Sequence, residues 1–284
     1  MRIHHLNCGS MCPVGGAAFD GYSRGLRAHL VCHCLLVETD AGLVMVDTGL
    51  GLMDVRAPKP RLSAFFVAFN NIQLREEDTA RRQVERLGFK PADVRHIVLT
   101  HLDFDHAGGI EDFPGATVHV LGEELRAAQE DRGGFIGKRR YRPDQWDDAA
   151  RWETYRPEGE PWFGFESVRD LKGLPPEILM VPLPGHTRGH AGVAISTGPG
   201  DAGSGDAGPG WLLHAGDAYF HHGEMDPDRP HCPPGLRGYQ RMMEVDRAAR
   251  LANQRRLREL VRAERDRVRV ICGHDKVELE RCSG

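Results

Sequence analysis

The chain has 284 residues, 40% of them hydrophobic, with a formal net charge of −4. That supplies apolar material for one large domain or two small ones and gives no general case for nucleic-acid binding. No apolar run approaches the roughly 20 residues that a membrane span requires. The opening Met1-Arg2-Ile3-His4-His5-Leu6 shows no signal-peptide pattern. An odd count of seven cysteines favours reduced thiols, so a cytoplasmic location is expected.

In chain order, residues 2–7 read as a short strand, and the Gly- and Pro-bearing stretch 9–25 reads as a loop near a site mouth. Val31 to Glu38 and Leu43 to Val46 form a hairpin around Asp40-Ala41-Gly42. Cys32 and Cys34 share a face there and suit a core; a zinc site with Cys8 and Cys12 is disfavoured by the spacing. Asp47 ends the second strand. Phe65, Phe66 and Phe69 either line a channel or fill the core, and core is the safer reading. Glu76 to Leu87 has helical spacing and stops at Gly88. Val94 to Leu99 is an apolar, β-branched run that reads as a buried strand. Thr117 to Leu121 is the next strand, and Glu123 to Glu130 a helix.

From 131 to 173 the pattern weakens. Arg132, Lys138, Arg139, Arg140 and Arg142 precede Trp146, Tyr155, Trp162, Phe163 and Phe165. The stretch is either a lid for an acidic or acyl substrate or a solvated basic surface over a satellite aromatic core. Ile178 to Leu183 is a strand, and 193–197 with 211–214 forms a hairpin whose connection, 198–210, is of flexible composition. Arg237 to Arg265 reads as one long arginine-rich helix, and Val268 to Cys272 as the last strand.

The chemistry concentrates in Thr100-His101-Leu102-Asp103-Phe104-Asp105-His106-Ala107-Gly108-Gly109. Four metal-binding side chains fall within six residues at the carboxyl end of a strand, where open α/β sheets place their sites. A helix cap needs one such side chain, not four. The pattern resembles the H-x-H-x-D-H signature of metallo-β-lactamase-fold hydrolases, with Asp103 in place of the middle histidine. Gly185-His186-Thr187, Gly216-Asp217, Gly273-His274-Asp275 and the early Val46-Asp47-Thr48-Gly49 turn match further elements of that family in order. The resemblance implies an αββα four-layer sandwich, where periodicity alone gives only α/β. It also implies a single domain over 1–284, within which composition makes about 131–173 a candidate lid insertion and 198–210 a flexible hairpin loop.

By position, the resemblance puts His101, Asp103 and His186 on one metal ion, Asp105, His106 and His274 on a second, and Asp217 between them. Asp47 would orient ligands from behind. Two divalent ions are therefore expected, zinc first among them, with manganese or iron brought into range by the extra carboxylate of Asp103. A bridging hydroxide would attack a substrate carbonyl, and Asp105 would shuttle a proton to the leaving group. Asp103 could instead be too short to bind, leaving the first position weak or empty. The wording is most similar to lactonase-type members such as N-acyl homoserine lactonases. Those use a tyrosine three residues after the bridging aspartate; here Phe220 stands there and Tyr219 precedes it, so Tyr219 is the candidate hydroxyl. The expected activity is opening of a lactone or other carboxylic ester. The alternatives are a glyoxalase-type thioester hydrolase or a non-catalytic metal-binding or sensing protein. A di-iron redox enzyme is less expected, since only residues 275–284 follow His274. The partner is a small-molecule ester, lactone or thioester, with no nucleic acid and no membrane; the oligomeric state is open. Among the remaining histidines, His190 could support the His186 loop, and His221 and His222 could face substrate.

Overall fold

The structure is a computed structural model and describes residues 1–130, 135–147, 150–166, 171–198 and 210–283. Two sheets form its centre. The first holds β1 (Arg2–Met11), β2 (Leu30–Thr39), β3 (Gly42–Val46), β4 (Ile72–Gln73), β5 (Val94–Val98), β6 (Thr117–Leu121) and β7 (Arg151–Tyr155), in the order β4-β1-β2-β3-β5-β6-β7. The second holds β8 (Ile178–Pro182), β9 (Ala191–Ser196), β10 (Trp211–His214) and β11 (Val268–Ile271), in the order β11-β10-β9-β8. Both are mixed. β3, β5, β6 and β7 run parallel, and β10 runs parallel to β11.

Alternation along the strands explains how the sheets stack. Leu35, Val37, Val44, Val46 and Val98 on the first sheet pack against Met180, Val193, Ile195, Leu212 and Ile271 on the second. The opposite face of the first sheet, with Leu36, Met45 and Ile97, is covered by Ala80 and Val84 of helix α1 (Ala80–Arg86) and by Ala128 of helix α2 (Gly122–Glu130). The outer face of the second, with Leu179, Val181 and Leu213, is covered by Leu257 and Leu260. The result is the expected αββα sandwich. Among the described residues, no helix is long and apolar enough to cross a membrane.

Two departures from the sequence reading matter for the site. The helix expected over Arg237–Arg265 is two: α3 (Pro234–Met243) and α4 (Arg247–Glu264). Asp246 N-caps the second by accepting from Ala249 N at 2.9 Å. At the break, Val245 N and Asp246 N each donate to Gly185 O at 2.9 Å, so the interruption docks onto the loop that carries His186. The weakly patterned 131–173 segment also contributes a strand, β7, at the edge of the first sheet. Trp146 enters the core beneath that sheet, whereas Trp162 and Phe165 pack beside the second sheet. The 198–210 connection lies outside the described residues except at its two ends.

Phe66 is buried and stacks on Phe104 at 5.4 Å, while Phe69 is 44% exposed and stacks on Tyr239 at 6.1 Å. The aromatic cluster is therefore core at one end and surface at the other.

Candidate metal centre

Four strands stop where four loops begin. β5 leads to Thr100–His106, β8 to Gly185-His186, β10 to Gly216-Asp217 and β11 to Gly273-His274. Their carboxyl ends lie together, and the seven side chains expected as ligands converge there with exposures of 0–7%. Asp217 is at the middle. Its Oδ2 lies 3.2 Å from His274 Nε2, 3.3 Å from His186 Nε2 and 3.8 Å from His101 Nε2; its Oδ1 lies 3.3 Å from His106 Nε2. His106 Nε2 and His274 Nε2 are 3.4 Å apart, and Asp105 Oδ2 is 3.7 Å from His274 Nε2. On the other side of Asp217, Asp103 Oδ2 is 3.1 Å from His186 Nε2 and 3.5 Å from His101 Nε2.

The imidazoles are held from behind. His106 Nδ1 donates to Asp47 Oδ2 at 2.8 Å, and His274 Nδ1 donates to Val31 O at 2.8 Å. Thr100 Oγ1 donates to the same Asp47 oxygen at 2.7 Å, so it accepts from His101 Nδ1 at 2.9 Å. With each Nδ1 carrying the proton, each Nε2 turns a lone pair inward, the tautomer that suits a metal ligand. His101 Nε2 and Asp217 Oδ1 are buried with no hydrogen-bond partner among the described residues. Buried polar atoms without partners are costly, so a group that accepts their lone pairs fits this point. Asp47 adopts a left-handed backbone with φ 54°, a conformation that costs about 1–3 kcal/mol outside glycine and is tolerated where the surroundings fix it.

Burial opposes charge on every carboxylate here, but the neighbours decide the outcome. Burial is the largest influence on Asp217, yet the His274, His106 and His186 rings outweigh it and hold its pKa well below the ordinary carboxylate range. Asp105 goes the other way: burial, reinforced by the charges of Asp217 and Asp103, raises it despite His106 and His274. At 7% it is also the most exposed of the seven.

The group His101, Asp103 and His186 has an additional partner. Arg140, 2% exposed, grips Asp103 with both ends of its fork, Nε to Oδ1 at 2.7 Å and Nη2 to Oδ2 at 2.8 Å. Nη2 also donates to His186 Nε2 at 2.9 Å, and Nη1 to Met243 O at 3.0 Å. Burial works against the guanidinium charge, but Asp103 more than offsets it. Neither sequence reading of the basic stretch placed an arginine here.

Other contributors were also invisible as such in the sequence. Glu124 on α2 is buried and ties two ligand loops together: Oε1 accepts from Leu102 N at 3.0 Å, and Oε2 accepts from Thr187 Oγ1 at 2.6 Å and Gly189 N at 3.1 Å. The approach requires glycine at 189, where a Cβ would sit 2.1 Å from Glu124 N. His190 is a positioning group. Its Nδ1 donates to Leu183 O at 3.0 Å, and its Nε2 accepts from Asp217 N at 2.8 Å. Gly216, at φ +52°, allows that contact, since a Cβ there would lie 2.6 Å from His190 Nε2. Cys32, read as plain core, brings its thiol within 4.8 Å of ligand atoms of Asp105 and His274.

Tyr219 is a correction. Its hydroxyl donates to Glu278 Oε1 at 2.9 Å within the apolar cluster that includes Leu257 and Leu260, so it points away from the ligand set. Phe220 faces the centre instead, with its ring 4.9 Å from His274 and 5.7 Å from His186. The phenol on this side is Tyr239 of α3, whose ring lies 6.0 Å from Phe220. His221 and His222 line a separate cavity of about 430 Å³ with Tyr22 and His231; His222 Nδ1 pairs with Asp275 Oδ2 at 2.8 Å, and His221 Nδ1 accepts from Gly223 N at 3.0 Å.

The Tyr219 contact carries a pH prediction. Burial, then the charge of Asp275, pushes Glu278 from the ordinary 4.5 to about 7. A carboxyl whose folded-state pKa is raised contributes stability that is full below 4.5 and is lost as pH rises through about 7. A difference of this size is worth on the order of 3 kcal/mol. Glu278→Gln is expected to narrow the gap in Tm between pH 5 and pH 8; an unchanged gap would refute this origin.

Relatives share much of this chain. It is 42% identical over 275 residues to the probable metallo-hydrolase Rv2300c of Mycobacterium tuberculosis, covering 97% of this chain and 80% of that protein. It is 27% identical over 173 residues to an N-acyl homoserine lactonase of Bacillus cereus, covering 61% of each. Among solved structures, an N-acyl homoserine lactone hydrolase with N-hexanoyl-L-homoserine at its catalytic metal centre matches with a TM-score of 0.70 at 22% identity, over 99% of this chain and 95% of that one. The metallo-beta-lactamase superfamily profile matches residues 28–274, and the chain belongs to that superfamily.

Proposed function

We propose that the chain is a metal-dependent hydrolase that opens a lactone or a related carboxylic ester. The observation that carries this reading is the convergence of the Nε2 atoms of His101, His106 and His274, each ring fixed by a partner at its Nδ1, on the buried Asp217. His106, His274, Asp217 and Asp105 would hold a divalent ion. Imidazole and carboxylate donors suit zinc first, with manganese and iron(II) as alternatives. Such an ion supplies Lewis acidity and activates water near neutral pH.

The chain's own groups do the rest. Asp47 fixes His106 directly and His101 through Thr100. Asp105, the most exposed of the seven, is placed to take a proton from the attacking water and pass it to the leaving alkoxide. Phe220 packs with Phe66 and Phe104 in one apolar cluster and is the member whose ring meets the His186 and His274 rings. The Tyr239 hydroxyl accepts from Asn70 Nδ2 at 3.2 Å, leaving its proton for a substrate oxygen, the role expected of Tyr219. The lactonases among the relatives and structural neighbours support this substrate class.

The test is metal removal followed by a substrate panel. Dialysis against a chelator is expected to abolish turnover, and one added divalent metal to restore it. The restored enzyme should cleave acyl lactones faster than thioesters or β-lactams. Full turnover in metal-free protein would refute the mechanism, and a thioester preference would replace the lactone reading.

A further inference from the structure

We propose that the Arg140 guanidinium stands where the first of two metal ions would sit, so that the chain holds one divalent ion. An imidazole nitrogen has one lone pair, and that of His186 Nε2 already receives Arg140 Nη2 at 2.9 Å. Both oxygens of Asp103 are engaged by the same fork at 2.7 and 2.8 Å. Of the three side chains assigned to the first position, only His101 keeps an inward nitrogen without a hydrogen-bond partner among the described residues. One imidazole beside the shared Asp217 is a poor site. The same His101 also reaches the other group, since its ligand atom lies within 4.8 Å of those of His106 and Asp217.

The arginine is built in. Phe104 N donates to Arg140 O at 3.0 Å, and Tyr141 forms an isolated antiparallel bridge with Asp103, so the backbone that carries the guanidinium is fastened to the ligand loop. Two further donations, from Nη1 to Met243 O and to His186 O, complete the fork. An arginine cannot deprotonate in a protein, so its positive charge persists at any working pH. The charge balance agrees. Asp103, Asp105 and Asp217 bring three negative charges inward, and the guanidinium with one divalent ion matches them. A second divalent ion would leave a surplus of two positive charges in a buried site, which is expensive.

The proposal rests on the hydrolase reading only for the ion that remains. Purified protein is equilibrated with excess zinc, desalted, and counted by elemental analysis and native mass spectrometry. One ion per wild-type chain is expected. Arg140→Ala frees Asp103 and His186, and its count should rise to two. Should that variant fail to fold, Asp103→His combined with Arg140→Ala restores a third imidazole without a buried unpaired carboxylate, and should also bind two. Two ions in the wild type would overturn the proposal and leave the hydrolase reading intact. A count that stays at one in the variants would overturn it too, because the guanidinium would not be what excludes the second ion. A wild-type chain that binds none would overturn both.

Discussion

Alanine at His106 or at Asp217 is expected to strip the chain of its ion and lower turnover by at least about a thousand-fold. Losing a group that merely supports a ligand commonly costs 10–100-fold, and these two side chains would touch the ion directly. Asp217 is the shared neighbour of four imidazoles, at 3.2–3.8 Å from each. Without it, His106 and His274 lose the carboxylate that lies between them and the His101 side of the site. His106 is anchored by Asp47, which also holds Thr100; its removal empties one lone-pair direction and leaves Asp47 with a partner fewer. Metal analysis and steady-state kinetics on the same preparations check this, with circular dichroism to confirm folding. Near-normal turnover in either variant would count heavily against the site assignment.

The ligand loops were legible because three local signals coincide at three of the four. An apolar run predicts a buried strand, a glycine marks the turn, and a histidine or aspartate follows at once. Ile178 to Leu183 before Gly185-His186, and Val268 to Cys272 before Gly273-His274, show the pattern most plainly, whereas Thr100 stands in the glycine's place before His101. What failed depends on contacts far apart in the chain. Arg140 meets Asp103 37 positions and His186 46 positions away, and nothing in a run of five basic residues says which one turns inward. Glu124 looks like any acidic residue in a first helical turn; its burial against the His186 loop is a tertiary fact. Tyr219 and Phe220 are neighbours on a loop, and neighbours there face opposite ways, so the choice between them has no periodicity to settle it. The long helix was over-read because arginines spaced along Arg237–Arg265 mask the break at Glu244–Asp246, which exists to meet Gly185.

Glu124→Ala is expected to be the most damaging change outside the ligand set. The carboxylate satisfies three donors, Leu102 N, Thr187 Oγ1 and Gly189 N, at a fully buried point. Each orphaned buried donor costs about 1–3 kcal/mol, and the lost side chain leaves a cavity besides. The sum is not additive, because Thr187 can rotate its hydroxyl, but a loss on the order of 3–5 kcal/mol is expected. Leu102 and Thr187 each adjoin a ligand candidate, so activity should fall further than stability alone explains, even at temperatures where the variant is folded. Glu124→Gln separates the two effects. Its amide oxygen can still accept from Leu102 N, whereas its NH₂ faces Gly189 N–H donor to donor, so an intermediate loss follows. Thermal unfolding and kcat for the three proteins check the order wild type, Gln, Ala. If the alanine variant matched the wild type in both, the two loops would not depend on this carboxylate for their position.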